Sequence, residues 1–172
     1  MSISIYTIPD HPLNESRRAE ALRRLDLLYV IGDAALDAIA SELCAVLETS
    51  MTAVTLIHGY DAYLIAAVGF PTGIYRRSTS LCGHAILAPQ RPFVVLDTAT
   101  DERFAGNPFV AGDKGIRFYA AAQLIVAGDL AIGTLCAFDT APKAALTPAQ
   151  EQALLRLGDR AMERLHALAD DS

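Results

Sequence analysis

The chain has 172 residues, 52% of them hydrophobic, which is enough for one domain with a single core and no staples. Its formal net charge of -6 disfavours nucleic acid, because phosphate binding needs a basic surface. The opening residues have neither a basic start nor an apolar run, and no uncharged apolar stretch nears the roughly 18 residues that span a bilayer, so a cytoplasmic protein without membrane contact is expected.

Residues 1–13 are expected as a flexible lead-in to one domain over 14–170. A helix is expected from near Asn14 to Tyr29, with Leu22, Leu25 and Leu28 at helical spacing. Arg17, Arg18, Arg23 and Arg24 crowd it and read as a solvated face. Gly32 breaks the pattern, and Asp33 caps a second helix in which Leu36, Ile39, Leu43 and Val46 share a face. The period then changes. The β-branched "TAVTLIH" and the following "AYLIAAV" form a hairpin across Gly59, Tyr60 and Asp61. A stretch rich in Pro, Gly and Ser leads to "SLCGHAIL", and "PFVVLD" reads as a strand. "TDERFAGNPFV" holds a short capped turn at best. "GIRFYAAAQLIV" and "LAIGTLCAFD" flank Ala127, Gly128 and Asp129 as a second hairpin. A long helix closes the chain, with Thr147 as N-cap, Pro148 at its first position and Gln150 completing a capping box.

Hairpin-linked strands imply a largely antiparallel sheet. The expected fold is α/β of the α+β kind: a central antiparallel sheet of five or six strands with the terminal helices on one face. The long irregular connection from Phe70 to Gly115 must cross the other face. Such a connection is uncommon in a compact domain unless it has a task, so a ligand pocket is expected beneath it.

The three cysteines, Cys44, Cys82 and Cys136, share no C-x-x-C spacing, so neither a disulfide framework nor a zinc knuckle is indicated. Cys82 and His84 supply only two metal ligands where structural zinc wants about four, and no metal is expected. If Ser80 caps a short helix, Cys82 and His84 point in nearly opposite directions and cannot form a dyad. The helix start still favours the Cys82 thiolate where water reaches it. The ordinary reading buries Cys82 as a small apolar residue and turns His84 to the pocket or to solvent.

The runs "STSLCGHAIL", "PFVVLDTATDERFAGNPFV", "GIRFYAAAQL" and "AIGTLCAFDT", in that order, resemble the bacterial GAF domain over roughly Leu25 to Leu168. The resemblance implies the GAF/PAS-like fold just described and a sensory, non-catalytic role in signal transduction. It implies no single ligand, so the cofactor stays unknown. Bilin-binding members usually carry a cysteine followed directly by histidine; here Gly83 intervenes, which disfavours a bilin. Small free-standing members reduce free methionine sulfoxide and resemble "SLCGHAI" at the cysteine. This thiol enzyme, using Cys82, is the alternative reading. It needs a second cysteine in the loop before the following strand, and "FAGNPFVAGDKGIRFYA" has none. Neither Cys44 nor Cys136 reads as an obvious resolving thiol.

The candidate ligand-binding residues are Cys82, His84, Asp97, Asn107, Arg117 and Tyr119. Asp97 ends a strand, Asn107 opens a turn, and Arg117 and Tyr119 share a strand face. An arginine and a histidine facing one concavity suit an anionic ligand. Before Leu25 and after Leu168 there is no room for a kinase, cyclase or DNA-binding unit. A signal is therefore expected to leave through a signalling partner, through self-association, or into an output unit adjoining either end in a longer protein. Leu154, Leu157, Ala161, Leu165 and Leu168 line one side of the last helix, and a homodimer through the terminal helices is expected.

Overall fold

The computed structural model describes residues 5–89 and 91–171. In chain order it holds α1 (Glu15–Leu25), α2 (Ala34–Leu47), β1 (Met51–His58), β2 (Asp61–Val68), β3 (Gly73–Arg76), and α3 (Leu81–Ala85). It continues with β4 (Phe93–Val95), β5 (Phe118–Val126), β6 (Leu130–Asp139) and α4 (Pro148–Asp170). The six strands form one sheet in the order β3-β2-β1-β6-β5-β4, and every neighbouring pair is antiparallel. This is the expected class, with one strand that the sequence pattern hides. β3 is four residues long, lies on the edge and alternates half-buried with exposed positions, so its apolar content is too thin to stand out in the Pro- and Gly-rich stretch.

The helix starts follow their capping chemistry. The Asp33 side chain accepts from the Leu36 N–H at 3.0 Å and opens α2. Thr147 and Gln150 form the reciprocal capping box of α4. α1 stops before the expected Tyr29, because Asp26 turns left-handed at φ 53 and its N–H returns to the Arg23 carbonyl. The β5–β6 turn places Ala127 and Gly128 at φ 52 and 83, the positive pair that a tight hairpin needs to match strand twist.

Helices α1, α2 and α4 cover one sheet face, where Leu22, Leu36, Leu43, Leu56, Leu124 and Leu157 build the larger core. On α4, Leu154, Leu157, Ala161 and Leu165 are buried in that core, so most of the stripe read as a dimer seam is spent on the sheet, and Leu168 is half-buried. The arginines of α1 are not all solvated. Arg23 and Arg24 pair with Glu20 on the surface, but Arg18 is buried and donates to the Ile57 carbonyl and to Glu15.

The second face carries a smaller core of Ile57, Leu81, Ile86, Phe93, Phe104 and Val110 around α3 and the 97–116 loop. Of the expected lead-in, residues 1–4 lie outside the described residues, and residues 5–12 lie along this face. The Thr7 N–H donates to the Arg103 carbonyl at 2.9 Å, and Pro9 packs against Gly83 so closely that a Cβ there would stand 2.8 Å from Pro9 Cγ. Among the described residues no helix is long and apolar enough to cross a membrane.

Candidate functional site

α3 is a five-residue helix held at both ends. Ser80 caps its start by accepting from the Gly83 N–H at 3.3 Å. Gln123 on β5 donates to the Ala85 and Ala88 carbonyls at 2.7 and 2.9 Å at its end. The sheet thereby fixes where α3 points Cys82: inward, towards β5 and β6. The Tyr119 hydroxyl donates to Cys82 Sγ at 3.0 Å, and Cys136 Sγ lies 3.9 Å from Cys82 Sγ.

These three residues sit at the floor of a cavity of about 60 Å³ beneath the 70–115 connection. Its floor takes side chains from β1 and β6, including Ala53, Thr55 and Cys136. Its mouth is walled by Phe70, Tyr75, Phe109 and Phe138. Phe70 lies 5.4 Å from Tyr75 and from Phe138 and 6.4 Å from Phe109, ring centre to ring centre. Arg76 stands at the rim. The Thr55 and Thr134 hydroxyls are fully buried and make no hydrogen bond of ordinary geometry, although both bear on the Cys82 sulfur. Of the two, Thr55 lines the cavity, and an orphaned hydroxyl there is a feature a bound polar atom would relieve.

The electrostatics centre on sulfur. Contact with Cys136 holds the Cys82 thiol down to about 6 against the opposing effect of burial, and the Thr134, Tyr119 and Thr55 hydroxyls help. The same contact, together with burial, pushes Cys136 well up. Burial also raises Tyr119, which stays a neutral donor to the sulfur. Cys82 is therefore the more acidic thiol of the pair.

Of the six candidate residues, the structure brings Cys82 and Tyr119 to the cavity and leaves four outside its lining. His84 points away from Cys82, as residues two apart on a helix must. Its Nε2 meets the Thr7 carbonyl at 2.8 Å, its ring stands edge-on to Phe104, and burial lowers its pKa. Asp97 accepts from the Ala99 N–H and caps a single turn over Thr98–Thr100. Asn107 is buried, donates to the Thr79 carbonyl at 3.0 Å and accepts from the Phe109 N–H at 2.9 Å. Arg117 donates to the Val110 carbonyl and, at 2.8 Å, to the Gly112 carbonyl. Asn107 and Arg117 thus hold the roof in place without facing what lies under it. With His84 and Arg117 turned elsewhere, Arg76 is the one charged side chain among the described residues lining the cavity.

Sequence reasoning missed Phe70, Tyr75, Phe109, Phe138, Thr55, Thr134 and Cys136. The alternation of β6 does place Thr134, Cys136 and Phe138 on one face, but only the strand order reveals that this face is the pocket side. The expectation that Cys136 is no partner for Cys82 is corrected on the same ground. The two residues are 54 apart in sequence and their sulfurs touch.

The GAF domain family model matches residues 32–165. A cyclic di-GMP phosphodiesterase of Pseudomonas aeruginosa is 30% identical over 160 residues, which cover 93% of this chain and 27% of that protein. The chain therefore spans about a quarter of the length of that relative. Among solved structures, the GAF domain of an Acinetobacter phosphoenolpyruvate-protein phosphotransferase superposes with a TM-score of 0.62 at 15% identity, covering 93% of this chain and 95% of that one. A type II free methionine-R-sulfoxide reductase from Thermoplasma acidophilum superposes with a TM-score of 0.60 at 15% identity, covering 84% and 96%. At such identities the two structures show a shared fold.

Proposed function

The chain belongs to the GAF family, and we propose that it is the small-molecule-sensing module of a bacterial signalling protein and performs no chemistry on its ligand. One observation supports this above the others. The cavity lies between the sheet and a roof assembled from a long connection, with the orphaned Thr55 hydroxyl at the floor and four aromatic rings at the mouth. A floor of hydroxyls and thiols hydrogen-bonds a polar atom, and aromatic walls take an apolar body. The ligand that fits is small, neutral and amphipathic. At about 60 Å³ the space is far below the roughly 300–1,000 Å³ of drug-sized sites, so a nucleotide or tetrapyrrole enters only if the rings part widely.

The signal leaves through a protein partner or through self-association by the terminal helices. Tyr29 and Ile31, 75% and 59% exposed beyond the end of α1, and the half-buried Leu155 and Leu168 on α4 support the second route. The alternative is a thiol-dependent reductase of free methionine sulfoxide, and the contact between Cys82 and Cys136 favours it by supplying a second thiol. Turnover of free methionine sulfoxide with a dithiol reductant separates the two. The sensor reading expects no turnover above the buffer rate. Turnover that vanishes in Cys82→Ser would replace it with the enzyme.

A further inference from the structure

We propose that Cys82 and Cys136 form a hydroperoxide-responsive dithiol at the cavity floor, which closes to an intrachain disulfide. The site uses the cavity assigned above to a ligand but needs no ligand to act.

Geometry comes first. The thiols come from different elements, one on the short helix α3 and one on the central strand β6, and their sulfurs lie 3.9 Å apart. A disulfide needs about 2.05 Å, so the two sulfurs must close by roughly 2 Å. The surroundings are not those of inert packing thiols. A cysteine that only fills space needs no hydroxyls, yet three converge on Cys82: Tyr119, which donates at 3.0 Å, and Thr55 and Thr134, which lack any partner of good geometry. The Thr55 hydroxyl lines the cavity beside Cys82 and is free to donate to a peroxide oxygen. Hydrogen bonds at Cys82 favour its thiolate, the reactive form, and leave Cys136 protonated.

The chemistry then runs in two balanced steps. The Cys82 sulfur attacks the hydroperoxide ROOH. An S–O bond forms, the O–O bond breaks, and the leaving alkoxide takes up the proton that Cys82 lost on forming its thiolate. Cys82 becomes a sulfenic acid and the peroxide is reduced to ROH. The Cys136 sulfur next attacks the sulfenic sulfur. The S–S bond forms, the S–O bond breaks, and hydroxide departs with the Cys136 proton as water. The small cavity suits hydrogen peroxide itself. Cys44 serves as an internal control: it is only half-buried, its sulfur faces the Thr52 hydroxyl at 3.4 Å, and it has no thiol partner.

The test treats the full chain with stoichiometric hydrogen peroxide, alkylates it with a maleimide in denaturant, and maps the peptides by mass spectrometry. The expected result is a loss of about 2 Da before alkylation, a linked Cys82–Cys136 peptide pair, and Cys44 alone labelled. In Cys136→Ser a sulfenic acid persists on Cys82 and is captured by dimedone. In Cys82→Ser the oxidation of the remaining thiols slows at least about tenfold, because a protonated thiol is the poorer nucleophile. Wild-type protein in which Cys82 and Cys136 stay labelled while Cys44 oxidises overturns the proposal. Equal rates in wild type and Cys82→Ser overturn it too. If a variant fails to keep the wild-type circular dichroism spectrum, the wild-type map decides alone. A retained small molecule together with a persistently free Cys82 removes the dithiol and leaves the ligand reading intact.

Discussion

Glu15 lies between two arginines that water barely reaches. Arg18 and Arg77 are 1% and 2% exposed, and both donate to its carboxylate. Arg77 also donates to the Gly59 carbonyl, so this cluster ties α1 to the β1–β2 hairpin. Glu15→Ala strands two buried cations and is expected to cost about 3–5 kcal/mol in urea unfolding. Burial alone would raise the Glu15 pKa, but hydrogen bonds and charge from Arg18 and Arg77 hold it to about 2. The folded-state value is thus depressed. Its contribution is full above about 4.5 and is lost as pH falls towards 2. Stability measured across that window should fall less steeply in Glu15→Gln than in wild type. At this scale the sequence is a partial guide. Four arginines near one helix read as solvent-facing because their average destination is water, yet Arg18 is claimed by a carbonyl 39 residues away. The same limit hid Cys136: its strand and its face were readable, but its neighbour Cys82 came from a different element.

Helix α4 shows why an apparent flaw in a pattern need not be one. Gly158 interrupts an otherwise strong helix, and alanine there would gain about 1 kcal/mol in helix propensity. Its Cβ, however, would stand 2.9 Å from the Ala122 Cβ on β5. Overpacking of this kind costs about 1–3 kcal/mol, so Gly158→Ala is expected to destabilise by roughly 1 kcal/mol. Combining it with Ala122→Gly should return part of that loss as a favourable coupling in a double-mutant cycle. The roof obeys a similar logic. Asn107→Ala leaves the Thr79 carbonyl and the Phe109 N–H without their partner. It should cost about 1–3 kcal/mol and raise amide exchange across residues 107–116 before it affects the sheet. Elements with strong local signals, such as the two hairpins and the capped helices, were legible in order and type. The roof was legible only as irregular. Its polar residues were read as facing a ligand because polarity suggests function, but Asp97, Asn107 and Arg117 are consumed by backbone groups that a long loop leaves unpaired. The cavity walls came instead from aromatic residues, which pattern reading assigns to core.

At the scale of the whole molecule, the sheet divides the domain into a helix side and a cavity side. The helix side spends its main apolar stripe internally and its salt bridges within the chain, as with Arg160–Glu42 and Arg164–Asp33. Self-association must then rest on what stays exposed. Sedimentation at micromolar concentration should show a dimer that Ile31→Asp shifts towards monomer; a wild-type monomer mass at all concentrations would remove that route.

The cavity side is tested most directly by native mass spectrometry of freshly purified wild-type protein beside Ala53→Val, which adds bulk at the cavity floor. A noncovalent small-molecule adduct on the wild type, absent from a variant that still folds, is the predicted result. An adduct retained equally by both, or a wild type that neither carries nor takes up any small neutral amphipathic compound, would contradict the assignment of this cavity as the ligand site.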